Sequence, residues 1–216
     1  MAANIGVVDY GMGNIHSILK ALRLYSPQVS FSGDPDFLSR CDALVLPGDG
    51  AFGAARQGLR TNGLDQMLLS AQTTGKAVLG ICIGFQVLFQ DSNEDGLHQG
   101  LAYLEGSVRR FTFDDPAVRV PHMGWNQLSL GPAVDRNGLE SRWRWLEPLL
   151  ANQYMYFIHS FRVADGNPQQ TLAVCNYAGD TFSAVAVREN TLALQFHPEK
   201  SARAGLAILE RWAGQL

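Results

Sequence analysis

Short apolar runs alternate with helical patterns in the first part of the chain, and no other feature of the sequence restricts the possible folds as much. Runs rich in β-branched and aliphatic residues read as strands at 4–10, 28–32, 42–48 and 76–81. Apolar residues at helical spacing follow them at 15–25, 64–75 and 85–90. This alternation predicts a parallel sheet with helices on both of its faces.

The second part of the chain has a different pattern. Strand-like pieces separated by turn residues occupy 106–111, 123–130, 154–160, 170–177, 182–188 and 192–196. Little helical sequence separates them, and a final helix is predicted over 202–216. We therefore expect an α/β fold with one mixed, mostly parallel sheet, to which the later strands are added antiparallel. With no repeat and no linker, the chain is predicted to form a single domain over 1–216.

Composition excludes several functional classes. The formal net charge is −3, so the chain has no basic field for nucleic acid or for a membrane surface. No apolar run approaches the ~20 residues that span a bilayer, and the first residues do not read as a signal peptide. Three widely spaced cysteines, Cys41, Cys82 and Cys175, form no CxxC motif. They argue against a disulfide scaffold or a zinc site and for the cytoplasm.

The segment at 78–89 places a cysteine between two glycines where a predicted strand meets a predicted helix. The spacing Gly80, Cys82, Gly84 matches a nucleophile elbow, in which a strained turn raises the nucleophile at the carboxyl edge of a sheet. The N–H groups at the start of the next helix favour a thiolate, and that of Ile83 would face an oxyanion. The alternative is a buried structural cysteine beside glycines that allow close packing.

A cysteine nucleophile needs a base, and the best placed of the five histidines is His197 at the end of an apolar run. Pro198 ends that run, and a turn there would bring the Glu199 carboxylate to the imidazole. The alternative is a solvated turn with an unrelated glutamate. A second glycine-rich turn, at 46–52, ends the strand expected beside the elbow and would expose backbone N–H groups.

Three pieces taken together resemble a known family: PGDGAF at 47–52, GICIGFQ at 80–86 and FHPEKS at 196–201. They are similar to the class I, or triad-type, glutamine amidotransferases, over nearly the whole chain. Further pieces resemble one branch, the glutaminase subunits of imidazole glycerol phosphate synthase; they are VDYGMGN at 8–14, VPHMGWN at 120–126 and YFIHSF at 156–161. The resemblance implies a flavodoxin-like domain that uses no cofactor and no metal.

The resemblance also implies roles for individual residues. Cys82 would attack the side-chain amide of L-glutamine, His197 would transfer protons, and Glu199 would orient His197. The oxyanion would be held by backbone groups of Ile83, Gly50 and Asp49. The residues implied in glutamine binding are Gly50, Gln86, Glu94, Ser160 and Phe161. Without the resemblance, Gln86 and Glu94 would read as surface polar residues, and Phe161 as partly core.

A partner is implied as well, because free ammonia is protonated in water and must be handed on directly. In the resembled branch the partner is a cyclase subunit with a (β/α)8 barrel, which forms a heterodimer with the glutaminase. Asn14, Met123, Trp125 and Lys200 match positions at or near that interface. Exposed aromatic side chains are enriched at interfaces, although a core position is the alternative for Trp125.

Two departures from the family pattern stand out, and some alternatives stay open. Asp49 replaces a residue that is often hydrophobic, and we expect its carboxylate to point outward and to ease a backbone flip that completes the oxyanion site. The segment 175–182 reads as a longer surface loop, and 141–150, with two tryptophans, has no assigned role. The rival functions are a paralogous glutaminase feeding another acceptor such as a surface sugar, a stand-alone cysteine hydrolase, and a non-enzymatic scaffold.

Overall fold

The structure is a computed structural model, and it describes residues 3–12, 15–135 and 141–216. In chain order the strands are β1 (Ile5–Val8), β2 (Val29–Ser32), β3 (Ala43–Leu46), β4 (Ala77–Ile81), β5 (Asp91–Ser92), β6 (His98–Gln99), β7 (Ser107–Arg110), β8 (His122–Leu130), β9 (Tyr154–His159), β10 (Phe161–Val163), β11 (Thr171–Tyr177), β12 (Asp180–Arg188) and β13 (Thr191–Leu194). The helices are α1 (Ile15–Leu22), α2 (Pro35–Ser39), α3 (Phe52–Thr61), α4 (Leu64–Thr73), α5 (Ile83–Gln86), α6 (Pro132–Asp135), α7 (Glu147–Leu150) and α8 (Ala202–Ala213), with 3₁₀ turns at Ser141–Leu146 and Pro198–Lys200.

Nine of the described strands form one large sheet in the order β2-β1-β3-β4-β13-β12-β11-β8-β9. The strands from β2 to β13 pair in parallel. The strands from β13 to β9 pair antiparallel. This confirms the mixed sheet expected from the sequence, with its parallel part formed mainly by the first part of the chain. Strand β13 belongs to both parts, because it is parallel to β4 and antiparallel to β12.

A second, four-stranded sheet has the order β10-β7-β5-β6. The sequence pattern did not predict it, because β5 and β6 contain only two residues each. The peptide of Ser160 separates β9 in the large sheet from β10 in the small one. The chain therefore changes sheets at this residue, and this change turns the backbone around the carboxyl end of β4, where Cys82 lies.

The core lies on both faces of the parallel strands. In β3, Ala43 and Val45 pack into one hydrophobic cluster, and Leu44 and Leu46 pack into another on the opposite face. All four side chains are fully buried. Helices cover both faces, which is why these strands read as continuous apolar runs in the sequence.

The helices differ from the prediction in several places. The sequence did not predict α2 and α3, and the helix expected at 85–90 is instead the short α5, which begins one residue after Cys82. The segment 141–150 forms a 3₁₀ turn followed by a short helix, with Trp143 buried in the core. Within the described residues, no helix is both long enough and apolar enough to cross a bilayer.

Candidate active site

Cys82 lies in a strained turn between β4 and α5. Its backbone has φ 53° and ψ −107°, a conformation that is costly for a residue other than glycine and typical of functional turns. A Cβ atom built on Gly84 would lie only 1.8 Å from the carbonyl oxygen of Leu46, so this position admits only glycine. The sequence predicted a strained turn with closely packed glycines here, and the backbone has this geometry.

His197 reaches Cys82 because β13 lies beside β4. The Cys82 N–H donates to the Leu194 carbonyl oxygen over 2.8 Å, so the two parallel strands end at the same edge of the sheet. His197 follows shortly after that edge, and its imidazole lies close enough to Cys82 for the cysteine to raise the pKa of the ring. Pro198 then begins the 3₁₀ turn that carries Glu199 back, and Glu199 Oε1 lies 2.8 Å from His197 Nδ1.

The surroundings favour the charged form of His197. Burial lowers the pKa of the imidazole. The interactions with Cys82 and Glu199 raise it by more than burial lowers it, and the resulting pKa is about 10. The side chains of His197 and Glu199 are only 7% and 5% exposed, so bulk water screens their interaction little. An imidazolium next to a sulfur stabilises the thiolate, which is the nucleophilic form of cysteine.

A cavity of about 240 Å³ opens in front of Cys82. Its lining consists of Asp49, Gly50, Cys82, Ile83, Gln86, Glu94, Pro121, Ile158, His159, Ser160 and Phe161. The structure therefore brings the predicted nucleophile, oxyanion and glutamine-binding residues together around one space. His197 is not part of this lining and instead borders a smaller cavity of about 20 Å³, together with Glu199 and Lys200.

The amino-acid sequence of the whole chain is similar to that of known proteins. The profile of the family described as "Glutamine amidotransferase class-I" matches residues 6–213. The chain belongs to this family. It is also 42% identical to "Imidazole glycerol phosphate synthase subunit HisH" of Nostoc punctiforme, over 98% of this chain and 96% of that protein. The protein of that name from Geobacillus thermodenitrificans is 43% identical, over 97% of this chain and 95% of its own length.

Solved structures support the fold assignment. A "Crystal structure of glutamine amidotransferase" superposes with a TM-score of 0.70 and 20% identity, covering 97% of this chain and 98% of that one. The "Structure of PurLQS from Thermotoga maritima" gives a TM-score of 0.68 and 18% identity, covering 98% of each chain. At this level of identity, the likeness shows that the amidotransferase shares their fold.

Gln86 and Glu94 each contact the protein as well as the cavity. Gln86 is 2% exposed, and its Nε2 donates to the Phe161 carbonyl oxygen (2.9 Å) and to Gln195 Oε1 (3.0 Å). Glu94 accepts the N–H of Phe52 over 2.7 Å and so caps the start of α3. Burial raises the pKa of Glu94, while the Phe52 hydrogen bond acts in the opposite direction. Neither residue belongs to an ordinary exposed helix face.

The turn after β3 also lines the cavity, through Asp49 and Gly50. As predicted, β3 pairs directly with β4, so this turn lies beside the elbow of the amidotransferase. Gly50 has φ +102°, a conformation that favours glycine. Asp49 is exposed and lines the cavity.

The residues predicted to meet a partner are found on the surface where the structure describes them. Met123 and Trp125 are 59% and 53% exposed on β8, which excludes a core position for Trp125. Lys200 is exposed at the end of the 3₁₀ turn that holds Glu199. Asn14 lies outside the described residues.

Sequence reasoning missed three residues of the cavity, namely Pro121, Ile158 and His159. They lie in the pieces that resembled the synthase branch, next to residues that were assigned a role. The signal that could have found His159 is its position directly before Ser160 and Phe161, at the point where the chain leaves the large sheet.

Proposed function

We propose that this chain is the glutaminase subunit of an imidazole glycerol phosphate synthase. It hydrolyses L-glutamine to glutamate and ammonia and passes the ammonia to a cyclase subunit, which makes imidazole glycerol phosphate and an aminoimidazole carboxamide ribonucleotide in histidine biosynthesis. The observation that carries the proposal is that Cys82 lies beside the hydrogen-bonded pair of His197 and Glu199, at a cavity that is lined by the glutamine-binding positions of the family. The names of the relatives support the choice of branch.

The first half of the reaction forms a thioester. The Cys82 thiolate attacks the carboxamide carbon of glutamine, and the C=O π electrons move onto the oxygen. Backbone groups of Ile83, Gly50 and Asp49 stabilise this oxyanion. When the tetrahedral intermediate collapses, the C–N bond breaks, and His197 donates its proton to the departing nitrogen, which leaves as ammonia.

The second half regenerates the enzyme. Neutral His197 takes a proton from a water molecule, the resulting hydroxide attacks the thioester carbon, and the C–S bond breaks to release glutamate and the Cys82 thiolate. Glu199 keeps Nδ1 of His197 hydrogen-bonded throughout, so that Nε2 faces the reacting atoms. This chemistry is complete without a metal or a cofactor.

Substrate binding is assigned to the residues around the cavity. Gly50, Gln86, Glu94, Ser160 and Phe161 hold the glutamine, with the Glu94 carboxylate facing its ammonium group. A carboxylate suits this role because it forms a charge-assisted hydrogen bond with an ammonium group. The cavity volume of about 240 Å³ fits a single amino acid better than a peptide.

The partner is assigned to the outer face of β8–β9, defined by Met123, Trp125, Tyr154, Tyr156 and Ile158. These apolar side chains lie on the solvent side of the two paired strands, with Met123 opposite Ile158 and Trp125 opposite Tyr156. Ile158 belongs both to this face and to the cavity lining, so a docked protein would cover the site of ammonia release. We assign this face, with Asn14 and Lys200, to a (β/α)8-barrel cyclase subunit in a cytoplasmic heterodimer, and we assign residues 1–216 to one domain.

A coupled assay tests the proposal. We expect slow glutamate release by the chain alone, and a rate at least about tenfold higher with the cyclase subunit and its nucleotide acceptor, equivalent to about 1.4 kcal/mol of barrier. The substitution Cys82→Ser should lower the stimulated rate by about 10³-fold or more. Cys41→Ala is the matched control, because Cys41 is buried before β3, at the opposite edge of the sheet.

The alternatives give different results in the same assay. A stand-alone hydrolase would release glutamate at full rate without the partner. A paralogue would hydrolyse glutamine but transfer no ammonia to the histidine-pathway cyclase. A scaffold would be indifferent to Cys82→Ser.

A further inference from the structure

Two histidines outside the proposed triad form a buried pair beside the cavity. His122 on β8 and His159 on β9 are opposite each other in the strand register and are 3% and 6% exposed. Their ring nitrogens, Nδ1 of His122 and Nε2 of His159, lie 3.1 Å apart. The reaction proposed above uses neither ring.

Asn126 determines which nitrogens carry protons. Its Oδ1 accepts the N–H of Gln127 over 2.8 Å, and its Nδ2 donates to the Asn176 carbonyl oxygen over 2.9 Å. The amide orientation is therefore fixed, and the second Nδ2 hydrogen points to His122 Nε2, 3.3 Å away. His122 Nε2 must then accept, so His122 Nδ1 donates to His159 Nε2, and His159 Nδ1 donates to the Phe161 carbonyl oxygen over 2.7 Å.

The surroundings keep both rings neutral, as this chain of hydrogen bonds requires. Burial lowers the pKa of His122 to about 4, and its ring stacks on Tyr177 with the centroids 4.2 Å apart. Burial also lowers the pKa of His159, to about 3, although its hydrogen bond to Phe161 acts in the opposite direction. A second proton on His122 would face the Asn126 amide donor, so protonation would break the chain of hydrogen bonds.

At one end, the chain of hydrogen bonds reaches the backbone of residues 158–161, which line the cavity. The Phe161 carbonyl oxygen accepts from both His159 Nδ1 and Gln86 Nε2, and the residues from 158 to 161 line the cavity. The carbonyl oxygen of Ile158 lies 3.9 Å from Cys82 Sγ. His159 is therefore hydrogen-bonded to the backbone segment that lines the cavity and approaches the Cys82 sulfur.

The other end lies directly beneath the outer face of β8–β9. His122 and Asn126 point inward from β8, while Met123 and Trp125 point outward from the same strand, as strand alternation requires. A protein docked on Met123 and Trp125 would therefore contact β8, the strand that also carries His122 and Asn126.

We propose that His159 is a positioning residue that holds the cavity wall at 158–161 in its glutamine-binding geometry, and that His122 couples His159 to the partner-binding face of β8. The inference rests on the proposed function, and it adds the route by which partner and substrate affect each other. Because coupling between two binding sites is reciprocal, glutamine should then tighten partner binding by the factor by which the partner tightens glutamine binding.

The test measures glutamine affinity by calorimetry in a Cys82→Ala background, in which glutamine binds without turnover, with and without the cyclase subunit. His159→Leu removes the donor to Phe161 and should weaken glutamine binding in the complex by about tenfold. His159→Asn is the matched variant, because its Nδ2 occupies about the place of His159 Nδ1, and it should restore the affinity to within about threefold of the parent.

His122→Leu separates the coupling from the binding. It should leave the glutamine affinity of the isolated chain within about threefold of the parent while removing the gain in affinity that the cyclase subunit causes. In the cysteine-intact complex, His159→Leu should raise the KM for glutamine and change kcat by less than about threefold, because His159 contacts no reacting atom. If His159→Leu does not fold, His159→Gln, which lacks a donor at the Nδ1 position, replaces it with the same expectation.

The possible outcomes distinguish this inference from the function on which it rests. A parent chain that binds neither glutamine nor the cyclase subunit refutes the proposed function. A parent chain that binds both, with His159→Leu equal to the parent or His159→Asn no better than His159→Leu, refutes the positioning role. Full retention of the partner's effect in His122→Leu refutes the coupling.

Discussion

The strands of the parallel part and the β8–β9 pair are buried in different ways. Every residue of β1 and β3 is buried, so these strands have no free face. Strands β8 and β9 alternate, with Phe157 and His159 buried but Met123, Trp125 and Ile158 exposed. Exposed strand faces are ordinarily polar, whereas this one is apolar and borders the cavity.

The difference shows that two parts of one sheet carry different tasks. The parallel part surrounds the Cys82 turn with close packing, which holds a strained backbone in place. The β8–β9 pair leaves one face exposed, and this face is the one proposed to bind the partner. Strand β13 joins the two parts and delivers His197 to Cys82. Substitutions in the two parts should therefore affect different measurable quantities.

Among the substitutions that compare the two parts, the largest expected effect is on stability and comes from Gly84→Ala in the parallel part. The new methyl group would lie 1.8 Å from the Leu46 carbonyl oxygen, a backbone atom that cannot shift without moving the strand end. We expect a loss of about 3 kcal/mol or more in the free energy of unfolding, measured by urea denaturation. Gly214→Ala is the control, since its nearest neighbouring atom is 3.3 Å away, and it should change the stability by less than about 1 kcal/mol. Equal stabilities of the two variants would contradict the close packing argued for the elbow.

Trp125→Ala should lower partner affinity and leave stability nearly unchanged, because the side chain is 53% exposed. We expect the affinity for the cyclase subunit to fall by about 2 kcal/mol, roughly thirtyfold, as is common for an aromatic residue central to an interface. The urea midpoint should stay close to that of the parent. Leu24→Ala provides the control, as Leu24 is 64% exposed in the connection from α1 to β2, the edge strand opposite to β9. If both substitutions weaken binding equally, the outer face of β8–β9 is not the partner site.

The pH dependence of stability tests the contact at β13. His197 has a pKa of about 10 in the folded chain, compared with about 6.5 when unfolded. Its contribution to stability is therefore fully present below pH ~6.5 and is lost as the pH rises through about 10. The Tm difference between the parent and His197→Asn should shrink between pH 6.5 and 10 by at least about 2–4 °C, the shift produced by about 1 kcal/mol. A constant difference would show that His197 is not held in its charged form.

The sequence predicted well where local pattern and tertiary structure agree. The parallel strands, the elbow at Cys82 and the pairing of His197 with Glu199 all follow from residues close together in the chain. Helix α3 was missed because Ala51 offers no side-chain cap, and the cap comes instead from Glu94. Such long-range contacts leave no mark on the local sequence.

The prediction for the segment after the elbow was wrong for a related reason. Its apolar spacing favours a helix over 85–90, but the carbonyl oxygens of Val87, Leu88 and Phe89 accept hydrogen bonds from the backbone of residues 101–104. These contacts replace the helical ones and end α5 at Gln86. The pairing of His122 with His159 was equally hidden, since it depends on the register of β8 against β9.

The smallest expected effect concerns Asp49, which lies in the turn after β3 and lines the cavity. We infer that the backbone of this exposed residue must change conformation to complete the oxyanion site, which a β-branched residue resists. Asp49→Val should then lower the partner-stimulated rate of glutamate release by about two- to fivefold, equivalent to about 0.5–1 kcal/mol. Asp49→Asn keeps the shape of the side chain and its tolerance of positive φ while removing the charge, so it should stay within about twofold of the parent. If the asparagine variant loses as much activity as the valine variant, the carboxylate charge is what matters at this position, and the backbone argument fails.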